Sequence, residues 1–126
     1  MKIKLILLSF LIVVSLSANI LNINSNSKFG KINIVSEKTL SVGNNYLIFN
    51  LKQIKNIDNN TKIKVKIFMP AMPGMPAMKY ETIAKPIGDL KFRSNINIPM
   101  GGTWQIYIFI TLNNGKKIRF KSSFNL

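Results

Sequence analysis

Thr61-Lys62-Ile63-Lys64-Val65-Lys66-Ile67-Phe68 is the stretch that decides the fold. Branched apolar residues at 63, 65 and 67 alternate with lysines at 62, 64 and 66. Successive side chains of an extended chain point to opposite faces, so this pattern buries one face and leaves the other in water. The same alternation recurs on both sides. Upstream, Ile32 and Ile34 share one face of Lys31–Val35, and Leu47, Phe49 and Leu51 oppose Tyr46, Ile48 and Asn50. Downstream, Tyr80–Lys85 is a weaker strand before a turn at Pro86-Ile87-Gly88-Asp89. Phe92, Ser94, Ile96 and Ile98 then oppose Arg93, Asn95 and Asn97, with Ser94 interrupting the apolar face.

Thr103–Leu112 carries Trp104, Ile106, Ile108 and Ile110 on one face and Tyr107 and Phe109 on the other, as a central strand does. Asn113-Asn114-Gly115 predicts a type I′ hairpin turn into Lys117–Phe124. No segment shows a helical period. Seven short strands in about 100 residues predict an all-β, immunoglobulin-like antiparallel β-sandwich over residues 28–126. A small closed barrel is the alternative.

Ahead of this domain, Lys2 and Lys4 precede an apolar run from Leu5 to Val14 and the small-residue stretch Ser15-Leu16-Ser17-Ala18. That is the pattern of a secretory signal peptide over residues 1–18, and residues 19–27 are expected to be a flexible leader. The chain is therefore expected to be exported to the periplasm. The alternative is an uncleaved anchor in the cytoplasmic membrane, although the run is shorter than the ~20 residues a spanning helix needs.

Composition narrows the chemistry. The chain has no cysteine and no histidine, which removes disulfides, thiol nucleophiles and the commonest general base and metal ligand. Its acids, Glu37, Asp58, Glu81 and Asp89, form no close pair in sequence, so carboxylate hydrolysis and hard-cation sites are disfavoured. No enzyme is expected and no catalytic residue is assigned. The net charge of +14 would suit nucleic acid, but the lysines are spread through strands and arginine occurs only at 93 and 119. No nucleic-acid partner is expected. The charge reads as a solvated surface with some attraction to acidic lipid, consistent with peripheral membrane association, and the protein is expected to be a monomer.

One stretch stands apart: Met69-Pro70-Ala71-Met72-Pro73-Gly74-Met75-Pro76-Ala77-Met78, with methionine at every third position. Thioether sulfur is soft and needs no deprotonation, so such a cluster points to Cu(I) or Ag(I). As polyproline II the sulfurs would form a stripe with ~9 Å between neighbours, too wide for one coordination shell. A type II turn at Pro73-Gly74 would instead bring Met72 and Met75 within ~7 Å at their Cα atoms. Met69 and Met78 flank that pair, and Met100, in the loop Pro99-Met100-Gly101-Gly102, is the candidate donor from outside. Trp104 and Glu81 are candidate supporting groups around the ion. Packing or docking is the competing role for the methionines, and core packing for Trp104.

The export segment, the lysine-alternating strand ending in Met-Pro steps and the loop Pro99-Met100-Gly101-Gly102-Thr103-Trp104 together resemble the YtkA-like/FixH-like domain family. The resemblance implies an immunoglobulin-like domain outside the cytoplasmic membrane, associated with copper handling or haem-copper oxidase assembly. It places the family motif on Met69, Met72, Met75, Met78, Met100, Gly102 and Trp104. Two functions are expected from these readings. One is an exported Cu(I) carrier, a metallochaperone serving a membrane-bound copper-handling or oxidase assembly protein. The other is an interaction module without metal, whose Met-Pro loop docks on a membrane assembly partner.

Overall fold

A computed structural model describes residues 20–126, so the signal peptide expected at residues 1–18 lies outside the described residues. Eight strands follow in order: β1 (Ile20–Ser27), β2 (Gly30–Thr39), β3 (Gly43–Ile54), β4 (Lys62–Met69), β5 (Met78–Gly88), β6 (Lys91–Ile98), β7 (Thr103–Thr111) and β8 (Lys117–Asn125). All neighbours are antiparallel, in the order β1-β2-β3-β6-β5-β4-β7-β8. Among the described residues no helix is long and apolar enough to cross a membrane.

The sheet folds on itself at β5. Its first part, through Ala84, pairs with β4, and its end, Lys85–Gly88, pairs with β6 across a register shift next to Pro86. Proline cannot donate to a ladder, so a bulge is where a strand tolerates it. The two layers thus formed, β2-β3-β6-β5 and β4-β7-β8, have the connectivity of an immunoglobulin constant-type sandwich.

The seven strands expected from alternation are β2 to β8. The eighth, β1, corrects the flexible leader: residues 20–27 pair with β2 from Ile20↔Thr39 to Ser27↔Gly30. Leu21 and Ile23 pack against the core, and the amide of Asn33 donates to Asn22 and Asn24 across the pair. The asparagines that made this segment look like a leader are here strand residues, two of which accept from Asn33 of β2.

The core lies between the layers. Ile32, Ile34, Leu47, Phe49, Phe92 and Ile96 face Ile63, Val65, Ile67, Trp104, Ile106 and Ile110, all essentially fully buried. Burial of each such side chain contributes about 1.5–3 kcal/mol. Ser94 sits in this face, buried, and its hydroxyl has no hydrogen-bond partner among the described residues.

Two turns differ in kind from expectation. At Leu112–Gly115 the Gly115 amide donates to the Leu112 carbonyl at 2.9 Å, Asn113 and Asn114 keep negative φ, and Gly115 has φ +86°. This is a three-residue loop closed by a left-handed glycine, rather than a type I′ turn, which needs positive φ at both central residues. The left-handed pair is instead Asp89 (φ 56°) and Leu90 (φ 57°), joining β5 to β6 where Gly88 pairs with Lys91.

Candidate metal centre

The methionine stretch is the β4–β5 hairpin. Met69 ends β4 directly opposite Met78, the first residue of β5. Beyond them Met72 and Met75 form an isolated antiparallel bridge. The Met72 amide donates to the Met75 carbonyl at 2.9 Å, and the Met75 amide returns the bond to Met72 at 2.8 Å. Pro73 and Gly74 are the two residues between, and Gly74 has φ +80°, the value the third position of a type II turn requires. The bent loop expected from the Pro-Gly step is therefore formed. Residues directly opposite in such a pair project to the same face, so Met72 lies beside Met75 and Met69 beside Met78.

The four methionines are unequal in exposure. Met69 is buried, Met78 and Met75 are half-buried, and Met72 is 46% exposed. Alternation explains the first: Met69 continues the inward face of Ile63, Val65 and Ile67. Residues three apart on a regular strand point opposite ways, but Pro70 and Ala71 lie outside the ladder. Met72 accordingly shares a pocket of about 300 Å³ with Met69, lined also by Pro70, Gly101, Gly102, Thr103 and Gln105.

Met100 is held differently. The indole N–H of Trp104 donates to the Met100 carbonyl at 3.1 Å, and the Met100 side chain packs against the core. The β6–β7 loop does converge on the hairpin as expected, but through Gly102. That residue has φ +134°, and a Cβ placed on it would stand 2.8 Å from Met69 Cε. Gly102 is also fixed by paired backbone bonds with Leu126, both 2.9 Å. The absence of a side chain at Gly102 leaves space for the Met69 thioether. Thr103 and Gln105 were missed as pocket walls because they lie on the outward face of β7.

Neither supporting group expected around the ion lines the pocket. Trp104 is fully buried in the core, where it holds the Met100 loop. Glu81 is on the outward face of β5, paired with Lys66 and 3.0 Å from Lys64 Nζ. The Lys64 hydrogen bond holds its carboxyl below the ordinary carboxylate range. Strand parity accounts for this: 81 and 78 differ by an odd number, so Glu81 faces away from Met78.

Among the described residues no three His, Cys, Asp or Glu come together. The donor set of the hairpin is thioether and backbone carbonyl, which fits a soft monovalent ion and does not fit zinc, calcium or magnesium.

A family model described as YtkA-like matches residues 24–109. No curated protein matches the chain by sequence. Among solved structures, the crystal structure of the PmoD soluble domain from Methylocystis sp. ATCC 49242 (Rockwell) is similar in fold. It has a TM-score of 0.53 and 14% identity, over 81% of this chain and 95% of that one. At that identity the likeness is one of fold alone.

Proposed function

We propose, because the chain belongs to the YtkA-like family and carries paired thioethers at one end of its sandwich, that it is an exported Cu(I)-binding protein. Ag(I) would be taken by the same donors. The observation that carries this reading is the bridge that sets Met72 beside Met75 across Pro73-Gly74, in a chain with no histidine or cysteine to compete for a soft ion. Met72 and Met75 supply the first two sulfurs. Met69, sharing the pocket with Met72, supplies the third. Met78, opposite Met69, and Met100, on the converging loop, complete the candidate set. Proline at 70, 73 and 76 limits the freedom of the loop before the ion arrives, which lowers the entropy lost on ligation. The pocket's apolar walls exclude water from one side of the ion, and the exposed side at Met72 leaves it open to a partner. Such weak, accessible ligation suits transfer to a membrane-bound copper-handling or oxidase assembly protein, and the protein is a carrier and not an enzyme.

Competition titration with Cu(I) under reducing conditions tests the reading. The triple variant Met72→Leu, Met75→Leu, Met100→Leu keeps apolar volume and removes three sulfurs, so Cu(I) binding should vanish while the fold persists. If wild type and variant take up Cu(I) equally, the carrier function is wrong. The exposed apolar tip at Met72 favours a docking module as the second reading. That role would survive the leucine replacements in cells and fail with charged ones.

A further inference from the structure

The outward face of β4-β7-β8 is a plane of cations with an aromatic column at its centre. Pairing sets them in rows: Lys64 beside Phe109 beside Arg119, and Lys66 beside Tyr107 beside Lys121. A third row ends in Lys62 and Lys117. The rings of Tyr107 and Phe109 stack at 6.2 Å, with Lys66 Nζ 5.9 Å and Lys121 Nζ 5.7 Å from the Tyr107 centroid. One carboxylate, Glu81, reaches this face, against Lys64. The opposite face of the sandwich also carries lysines, but two of its cations are taken up by acids. There Glu37 pairs with Arg93 and Asp89 with Lys52, among asparagines that bond one another.

Like charges in adjacent strands repel, and a solvated face needs only scattered ones. Both layers carry lysines, but here five of the six named cations have no carboxylate partner among the described residues, and strand pairing sets them in one continuous array. We propose that the β4-β7-β8 face is the surface by which this protein lies on an anionic phospholipid bilayer. Five of the six cations are lysines, point charges on flexible stems that sense net charge rather than a bidentate shape. The face is a sheet and not a groove. Its ring faces are covered by ammonium groups at cation–π distance, which leaves no open platform for a nucleic-acid base. Ile83, 59% exposed and paired with Lys64, adds an apolar side chain beside the charges, the combination that holds proteins at the headgroup level. This face lies apart from the methionine hairpin, and its charge is independent of any metal bound there.

The full chain is tested by sedimentation with vesicles of phosphatidylglycerol and phosphatidylcholine against phosphatidylcholine alone, together with lysine acetylation read by mass spectrometry. Comparing variants that share the same N-terminus cancels any contribution of the N-terminal apolar run and of Lys2 and Lys4 beside it. Each lysine near an anionic surface contributes about fivefold in partitioning, so Lys62→Gln, Lys66→Gln, Lys121→Gln should lower the ratio about a hundredfold. The control triple Lys31→Gln, Lys38→Gln, Lys91→Gln removes equal charge and should lower it far less. Bound vesicles should protect Lys62, Lys66 and Lys121 from acetylation and leave Lys31 reactive. Equal losses in the two triples, uniform protection, or protection by polyglutamate without any by vesicles would each overturn the proposal.

Discussion

Replacing Gly102 with alanine separates what the β6–β7 loop does for the fold from what it does for the methionines. At φ +134° an L-residue is strained, at a cost of about 1–3 kcal/mol. The new Cβ would stand 2.8 Å from Met69 Cε, against an ordinary carbon contact of about 3.8 Å, so the methyl must retreat by about 1 Å. That retreat is cheap in energy, because it moves the end of a flexible side chain, but it is large on the scale of a metal–sulfur bond. The expected destabilisation is therefore about 2 kcal/mol, nearly all from the backbone. With 107 described residues and about 2.1 cal/mol/K of unfolding entropy per residue, Tm falls by about 9 °C in calorimetry. Cu(I) affinity falls about tenfold, as for a displaced supporting group. Gly101→Ala is the control: its φ is not in the left-handed region and its Cβ meets only the Leu126 carbonyl, at 3.1 Å. It should lower Tm by less than half as much and leave Cu(I) affinity unchanged. An unchanged Tm in Gly102→Ala would refute the strained backbone, and a lowered Tm with unchanged affinity would remove Met69 from the site.

Gly30→Ala should be more damaging, since its Cβ would meet the Gln53 carbonyl oxygen inside the β2–β3 pair at φ +139°; a loss of about 3 kcal/mol in urea unfolding is expected, and a loss below about 1 kcal/mol would show that the strands can part there. Ser94→Ala removes a buried hydroxyl with no partner among the described residues, so it should raise stability by up to about 1 kcal/mol in the same assay, and a clear loss would mean that the hydroxyl is satisfied in solution. The Arg93 hydrogen bond, ahead of the opposing desolvation, holds the Glu37 carboxyl below its ordinary range. Its lowered folded value means that the pair stabilises above the unfolded value and stops doing so as pH falls through the folded one. Glu37→Gln should thus be slightly less stable than wild type at neutral pH and equal to it in strong acid; a difference independent of pH would assign the effect to packing.

The strands were legible because period-two alternation is a property of the chain alone. Ile63, Val65 and Ile67 against three lysines admit one reading, and β2 to β8 all follow it. β1 was not legible, because Asn22, Asn24 and Asn26 are poor strand formers in isolation and become strand residues by pairing with β2. The turn at Pro73-Gly74 could be foreseen from φ preferences, whereas the turn after β7 could not, since either Asn113-Asn114 or Asn114-Gly115 can occupy its centre. In the candidate site, the pairing of Met72 with Met75 was local and readable. That Met69 meets Gly102 depends on which strands become neighbours, and β4 lies beside β7 across long sequence separation. The cationic face was hidden for the same reason: its lysines and rings sit on three strands whose order no single stretch specifies.

β5 belongs to both layers, and this makes it an internal gauge of cohesion. Its β4-facing amides between Lys79 and Ala84 are held with β4, and the β6-facing ones at the Lys85–Gly88 end with β6, so one continuous segment is anchored to two separate bodies of structure. If the layers loosen independently, hydrogen exchange along β5 will break into two rates at Ala84; if they loosen only together, a single rate will run through it. A ligand clamped on the methionine hairpin would slow the first set alone in one case and the whole strand in the other. One strand's exchange profile thus tells whether the sandwich opens as two leaves or as one body.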